Sequence, residues 1–279
     1  MKLYSIETGF FKLDGGAMFG VVPKSIWNKL HQADDNNMIR LAMRCLLIED
    51  GNRLILIDNG IGDKQDEKFL SYYYLHGESS LEKSLNNHGF SVDDVTDMVL
   101  SHLHFDHCGG SIKWNEDKTK FNTTFKNATY WIDETHWHEA NNPNVREKAS
   151  FLKDNILPIE ESGQLKLLKR NERFHPEIEI YYSIGHTQSM IHPIIPYKNS
   201  KVIYMADLIP TTAHIPIPYV MGYDMRPLET INEKSDVLRK SSDENWVLFF
   251  EHDPINEACT VQLTEKGIRQ KDLVKILEL

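Results

Sequence analysis

The 279-residue chain predicts a fold of mixed strands and helices that collects its chemistry at strand ends. Three observations predict it. Apolar runs end four times in side chains able to ligate a metal: Asp97-Met-Val-Leu-Ser101 before His102, Ile178–Ile184 before Gly185-His186, Lys201–Met205 before Ala206-Asp207, and Trp246–Phe250 before Glu251-His252. Stretches with helical periodicity lie at 79–89, 145–155 and 264–279. No internal repeat or linker-like stretch divides the chain, so one domain over 1–279 is expected, a length at which one sizeable core is common.

Composition narrows the function classes. The chain is 41% hydrophobic and 26% charged, as in ordinary globular proteins, with a net charge of −10. That sign argues against a nucleic-acid or anionic-membrane surface. Cys45, Cys108 and Cys259 have no zinc-ribbon spacing and read as free thiols in a reducing compartment. The segment Met1–Glu7 lacks a signal-peptide pattern, and no window approaches about 18 consecutive apolar residues. A cytoplasmic protein with no membrane partner is expected.

Taken in order, residues 2–13 alternate as an opening strand. Residues 13–27 read as a loop broken by glycines and a proline, yet Met18, Phe19, Val21, Val22 and Trp27 are large and apolar. Such a loop either packs on its own core or lines a substrate cleft. Arg40–Ile48 and Arg53–Ile57 read as buried strands joined by Glu49-Asp50-Gly51-Asn52. The second runs into Asp58, either a turn former or a carboxylate that orients a metal-bound histidine from behind. Ser79 or Ser80 caps the helix over 79–89 and Gly89 ends it. Residues 111–128 read as an exposed excursion. Ala128–Ile132 is a short strand before a helical start, where His136 and His138 are expected to be solvated, since two residues apart on a helix they diverge.

The densest signal is Ser101-His-Leu-His-Phe-Asp-His-Cys-Gly-Gly110, with His102, His104, Asp106 and His107 spaced His-x-His-x-Asp-His. Imidazole and carboxylate together suit borderline metals such as zinc. An incidental histidine-rich loop would not be matched by His186, Asp207 and His252 at further strand ends. Those seven side chains exceed what one zinc takes. They suit two metals about 3.5–4 Å apart, sharing a carboxylate. Cys108 reads as a loop residue beside the ligands.

This set of motifs resembles that of the metallo-β-lactamase superfamily: His-x-His-x-Asp-His, a Gly-His-Thr histidine, a strand-end aspartate and a late histidine, with Leu56-Ile-Asp-Asn-Gly60 matching an early Asp-x-Gly element. The resemblance spans nearly the whole chain. It implies the α+β class and a four-layer αβ/βα sandwich of two mixed β-sheets flanked by helices. It assigns His102, His104 and His186 to one divalent ion and Asp106, His107 and His252 to a second, with Asp207 bridging. The ions would be Zn2+, with Co2+, Mn2+ or Fe2+ as alternatives. Asp106 would steer a metal-bridging hydroxide and pass a proton to the leaving oxygen, and Asp58 would anchor a ligand histidine.

Two longer stretches, Asp14–Lys24 and Met205–His214 continuing through Tyr219–Asp224, are similar to the branch holding quorum-quenching N-acyl-homoserine lactone lactonases and methyl parathion hydrolase-like enzymes. That similarity implies a small-molecule lactone or ester substrate and suggests a homodimer. It places Met18, Phe19, Trp27, His214 and Tyr223 around the substrate pocket, where a purely structural role for His214 and Tyr223 is an equal alternative. The chain departs from the pattern in two places. Gln188-Ser189-Met190 follows the Gly-His-Thr motif instead of Pro-Gly-His, and Pro210 stands where many lactonases carry a tyrosine that bonds the lactone carbonyl. An organophosphate triester or other ester hydrolase is therefore the alternative. Nucleic-acid processing, β-lactam hydrolysis and a di-iron redox or sensing module fit less well, the last for want of a fused flavin-binding segment.

Overall fold

The computed structural model describes residues 1–279. The chain runs through β1 (Lys2–Asp14), α1 (Gly15–Phe19), α2 (Lys24–Trp27), β2 (Met38–Asp50), β3 (Arg53–Ile57), α3 (Glu67–Ser71), α4 (Leu81–Asn87), β4 (Asp97–Val99) and α5 (Phe105–Cys108). It continues through β5 (Ile112–Trp114), β6 (Phe121–Thr123), β7 (Thr129–Asp133), α6 (Glu134–Asn141), α7 (Lys153–Glu161), β8 (Leu165–Leu168), β9 (Glu179–Ser183) and β10 (Met190–Tyr197). It closes with β11 (Ser200–Tyr204), α8 (Pro227–Glu244), β12 (Val247–Phe249), β13 (Ala258–Thr264) and β14 (Gly267–Val274). Two mixed six-stranded sheets with helices put it in the α+β class. Contacts divide the chain into two units, Met1–Gly9 with Met43–Phe174, and Phe10–Ala42 with His175–Leu279.

In the first unit the sheet order is β1-β2-β3-β4-β7-β8, antiparallel between β2 and β3 and parallel from β3 to β8. Parallel strands bring their carboxyl ends to one edge, the usual place for a site in such sheets. The pairing Ile57↔Val99 therefore sets Asp58 beside the segment leaving β4. Ile6, Leu47, Leu56, Met98, Leu100, Leu103 and Ile132 are among the residues that fill the core beneath that edge. Buried on both sides, β3 and β4 read as continuous apolar runs because no face of them meets water.

In the second unit the order is β14-β13-β12-β11-β10-β9, with one parallel pair, β11–β12. Its register, Tyr204↔Phe249, again aligns two strand ends, those that lead to Asp207 and His252. Gly185, in the turn after β9, lies against the backbone of α8, where a Cβ would meet Thr230 N at 2.4 Å. Only glycine lets the chain pass so close.

Several elements differ from expectation. Thr264–Leu279 is not one helix: β13 and β14 form a hairpin closed by Gly267 at φ +86°, with Leu263 opposite Ile268 and Thr264 opposite Gly267, and only Ile276–Glu278 makes a single 3-10 turn. The left-handed glycine after Glu265-Lys266 decides for the turn. The helix expected at 145–155 is α7, beginning at Lys153. Residues 13–27 contain the short helices α1 and α2. Residues 111–128 are exposed mainly between Asn115 and Lys120, and their flanks form the β5–β6 hairpin. Neither β10 nor α8 was visible in the sequence pattern. On α8 the buried stripe is Thr230, Lys234, Val237, Leu238 and Ser241, of which only two are apolar.

Candidate metal centre

In the first unit, β4 ends at Val99 and the chain turns through Ser101 to the four clustered donors, with His104 capping the one-turn helix α5. The turn is fixed from below. Ser101 N donates to Asp58 Oδ1 at 2.7 Å and Ser101 Oγ to Asp58 Oδ2 at 2.6 Å. Gly109 and Gly110 allow the segment after α5 to close on Asn59–Ile61, where Cβ atoms would meet Ile61 O at 2.1 Å and Asn59 O at 2.4 Å. Lys64 Nζ donates to Gly109 O at 2.7 Å. Burial pulls that ammonium down to about 8.

Each histidine of this half turns one nitrogen outward to an oxygen. His102 Nδ1 donates to Ser101 Oγ at 3.0 Å, whose own hydrogen is committed to Asp58. His104 Nε2 donates to Glu147 Oε1 at 3.2 Å, and His107 Nδ1 to Asp58 Oδ2 at 3.1 Å. The remaining nitrogens then carry lone pairs, an assignment read from these partners. His102 Nε2 and His104 Nδ1 lie 3.1 Å apart, and His107 Nε2 is 3.9 Å from Asp106 Oδ2. All four side chains are buried.

The second unit presents a carboxylate between two imidazoles. Asp207 Oδ2 is 3.0 Å from His186 Nε2 and Asp207 Oδ1 is 3.0 Å from His252 Nε2. Both rings are again held from outside, His186 Nδ1 by Asp224 Oδ1 at 2.9 Å and His252 Nδ1 by Ala42 O at 2.8 Å. Burial disfavours a charged His186, but Asp207 and Asp224 outweigh it and push the imidazole up to about 10. Without a cation, a proton there offsets the carboxylates.

The donors fit divalent ions. Five buried imidazoles have their outer nitrogens held by oxygen acceptors, the arrangement that fixes tautomer and ring direction at metal sites. Inner-facing nitrogens and carboxylate oxygens are the ligand chemistry of zinc and its neighbours in the series. The first unit brings His102, His104, Asp106 and His107 together, with Asp58 behind. The second brings together His186, Asp207 and His252.

The predicted pocket residues also belong to the second unit. Met18, Phe19, Trp27 and His214 are at most 1% exposed. Phe19 stacks on Trp27 with centroids 5.3 Å apart and on His214 at 4.4 Å. His214 is bonded to Thr211 Oγ1 at 2.8 Å and Met18 O at 2.9 Å. Burial lowers it to about 3, so it is neutral. Tyr223 is 36% exposed.

Sequence reasoning did not single out Glu147, Asp224 or Ser101. Asp224 ends a stretch whose similarity was noted, but nothing local marks an aspartate as the partner of a histidine so distant in the chain. Glu147 lies in a polar, helix-like stretch where a glutamate is ordinarily solvated; here it is 2% exposed and accepts from Asn144 Nδ2 at 3.0 Å. His136 corrects an expectation: instead of being solvated it is 1% exposed, and its Nε2 accepts from Leu103 N at 2.8 Å. That bond sets the backbone between His102 and His104. Cys108 is buried and its thiol donates to Leu103 O at 3.4 Å.

Comparison with known proteins agrees with this chemistry. The family model described as the metallo-beta-lactamase superfamily matches residues 44–252. An N-acyl homoserine lactonase from Bacillus cereus is 25% identical over 268 residues, 90% of this chain and 93% of the relative. The crystal structure of a probable metal-dependent hydrolase from Staphylococcus aureus superposes with a TM-score of 0.86 at 29% identity, over 98% of each chain. A dizinc quorum-quenching lactonase in complex with its product superposes with a TM-score of 0.75 at 23% identity, covering 98% of this chain and 95% of the other. With a family match over well more than half its length and a histidine–aspartate donor set at its strand ends, the chain belongs to the metallo-beta-lactamase superfamily, has its fold and is a metal-dependent hydrolase.

Proposed function

We propose that this hydrolase opens the ring of N-acyl-homoserine lactones with two divalent ions, zinc in the first instance. His102, His104 and His186 hold one ion and Asp106, His107 and His252 the other, with Asp207 shared. The observation that carries the reading is the state of the imidazoles: all five have the outer nitrogen bonded to an oxygen, leaving the other for a cation. Similarity to a curated lactonase across 90% of the chain supports the substrate class.

When bound, the ions would lower the pKa of water towards neutrality and polarise the ester carbonyl. The remaining work falls to the chain. Asp58, Glu147 and Asp224 keep three ligand histidines in one tautomer and direction. Asp106 holds a proton at its carboxylate and delivers it to the ring oxygen as the acyl–oxygen bond breaks. The low-dielectric surroundings of the buried donors strengthen each of these interactions.

Organophosphate triester or other ester hydrolysis is the second reading. It is favoured by Pro210, which has no hydrogen to donate at the position where many lactonases carry a tyrosine. Purified protein given a long-chain acyl-homoserine lactone and an aryl phosphotriester in parallel decides between them. Lactone turnover is expected to dominate; turnover orders of magnitude below that of the triester would overturn the first reading. We take the partner to be a small molecule, with neither nucleic acid nor membrane involved, and no helix is long and apolar enough to cross a membrane. A homodimer in the cytoplasm is the proposed setting.

A further inference from the structure

The first unit contains a phenol that its own fold does not use. Tyr73 follows α3, and its ring packs on Phe105 with centroids 4.6 Å apart and on Phe69 at 5.1 Å. Phe105 immediately precedes Asp106 and opens the helix that carries Asp106 and His107. Ring packing on two sides thus fixes Tyr73 against the ligand-bearing turn. Its neighbours Tyr72 and Tyr74 point away, 59% and 49% exposed, whereas Tyr73 is half-buried. The Tyr73 hydroxyl makes no hydrogen bond within the protein, unlike Tyr130, whose buried hydroxyl donates to Ser111 O at 3.0 Å. Buried phenols ordinarily find a partner within the protein, whereas a half-buried one without such a partner is left to bond water or a ligand. One held beside a metal-ligand carboxylate with its hydrogen unassigned has the placement of a group waiting for substrate.

We propose that Tyr73 donates a hydrogen bond to the substrate's carbonyl oxygen. The proposal rests on the ester-hydrolysis reading above. In the step concerned, a water molecule gives one proton to Asp106 as its oxygen forms a bond to the carbonyl carbon, and the carbonyl π pair moves onto the carbonyl oxygen. That oxyanion accepts from the Tyr73 hydroxyl. On collapse the pair returns, the bond to the ring oxygen breaks, and the ring oxygen takes the proton from Asp106. No oxidant or further reactant is needed. A donor here would supply what Pro210 cannot. A phenol carries its hydrogen at neutral pH, and burial of Tyr73 favours that neutral form further, so it acts as a donor, not as a base.

Tyr73→Phe retains the ring and its packing on Phe105 and removes only the hydroxyl. The expected result is a fall in kcat of about 100-fold on an acyl-homoserine lactone and on an aryl ester alike, the scale seen when one oxyanion donor is removed. KM and bound metal should stay at wild-type values, and the exposed control Tyr72→Phe should keep full kcat. A kcat within about twofold of wild type, a loss confined to KM, or a loss of bound metal would each overturn the assignment. The aryl ester keeps the two ideas separable. Wild-type protein that cleaves the ester but opens no lactone would sink the lactone reading, while Tyr73 would still be judged on ester kcat.

Discussion

Glu147 shows how one buried carboxylate acts on a site without touching a metal. It accepts from His104 Nε2 and is itself held by Asn144, so the His104 ring cannot turn and its Nδ1 faces inward. A carboxylate behind an imidazole raises its basicity as well as fixing it, and losing such a partner ordinarily costs 10–100-fold in metal affinity. Glu147→Gln keeps an acceptor oxygen and removes the charge; Glu147→Ala removes both. We expect affinity, measured by competition with a chromophoric chelator, to fall about tenfold for the first and toward 100-fold for the second. Far-ultraviolet circular dichroism should not change. Equal affinity across all three proteins would show that the contact is incidental. Asp106 and His107 give the complementary test. Asp106→Ala or His107→Ala should leave one metal per chain instead of two and abolish turnover, as read by elemental analysis and lactone hydrolysis.

At the scale of elements, α1 and α2 show where a sequence reading stays open. Met18, Phe19 and Trp27 were legible as large apolar residues in a glycine-broken stretch, but whether they cover a core or line a cleft depends on contacts made far along the chain. Phe19 lies between Trp27 and His214 and is fully buried. Phe19→Ala should therefore cost about 3–5 kcal/mol of stability by denaturant unfolding. Retained stability with an altered KM would mark it as a pocket residue instead. The strands that lead to the proposed ligands were legible because each is a largely apolar run that ends abruptly in a polar donor, even β9, which is only partly buried. By contrast α8 was silent, its buried stripe being mostly Thr, Lys and Ser, and Lys234 is accommodated there only by the carbonyls of His214, Pro216, Ile217 and Tyr219. The proposed ligands could be read from motif spacing. Their supports could not, because Glu147 and Asp224 are defined by a partner in space and not by any local pattern. The strand β4 carries a further prediction. Asp97 is bonded by Arg53, Thr96 and Trp131. Burial alone would raise its pKa, but those bonds outweigh it and hold the carboxyl below the usual range. Its stabilising effect is thus complete above the unfolded value of about 3.9 and is lost as pH falls through the lower folded value. Asp97→Ala should cost about 3 kcal/mol near neutrality, the lower end for breaking a buried pair, because Arg53 is partly exposed. The gap from wild type should close below pH 4 in urea melts.

For the molecule as a whole, the distribution of buried charge makes metal a folding ligand as well as a catalytic one. Asp58, Asp106, Glu147, Asp207, Asp224 and Glu251 are all buried, in a chain whose net charge is already −10. The buried lysines do not hydrogen-bond to them: Lys64 is spent on Gly109 O and Lys234 on four backbone carbonyls. Hydrogen bonds from Ser101, Asn144, Tyr204 and the ligand histidines satisfy several of the carboxylate oxygens. These carboxylates still concentrate negative charge in the interior, and a cation bound among them would lower the cost of burying it. Binding that occurs only in the folded state stabilises by mass action, about 4 kcal/mol at a thousandfold excess over Kd. For a chain of this length that corresponds to roughly 8 °C in Tm per site. Chelator-stripped protein should therefore melt about 15 °C or more below protein refilled with zinc, with two steps of uptake in a calorimetric titration. Asp106→Ala should recover only about half of that gain. If stripped and refilled proteins melt together, metal contributes nothing to the fold, and the cost of these carboxylates must be met by protons alone, as the elevated His186 would allow. Melting both forms from pH 6 to pH 9 separates the cases. Stabilisation by zinc should grow with pH as His186 yields its proton more readily to the ion, whereas a proton-balanced fold would weaken on the alkaline side whether or not zinc is present.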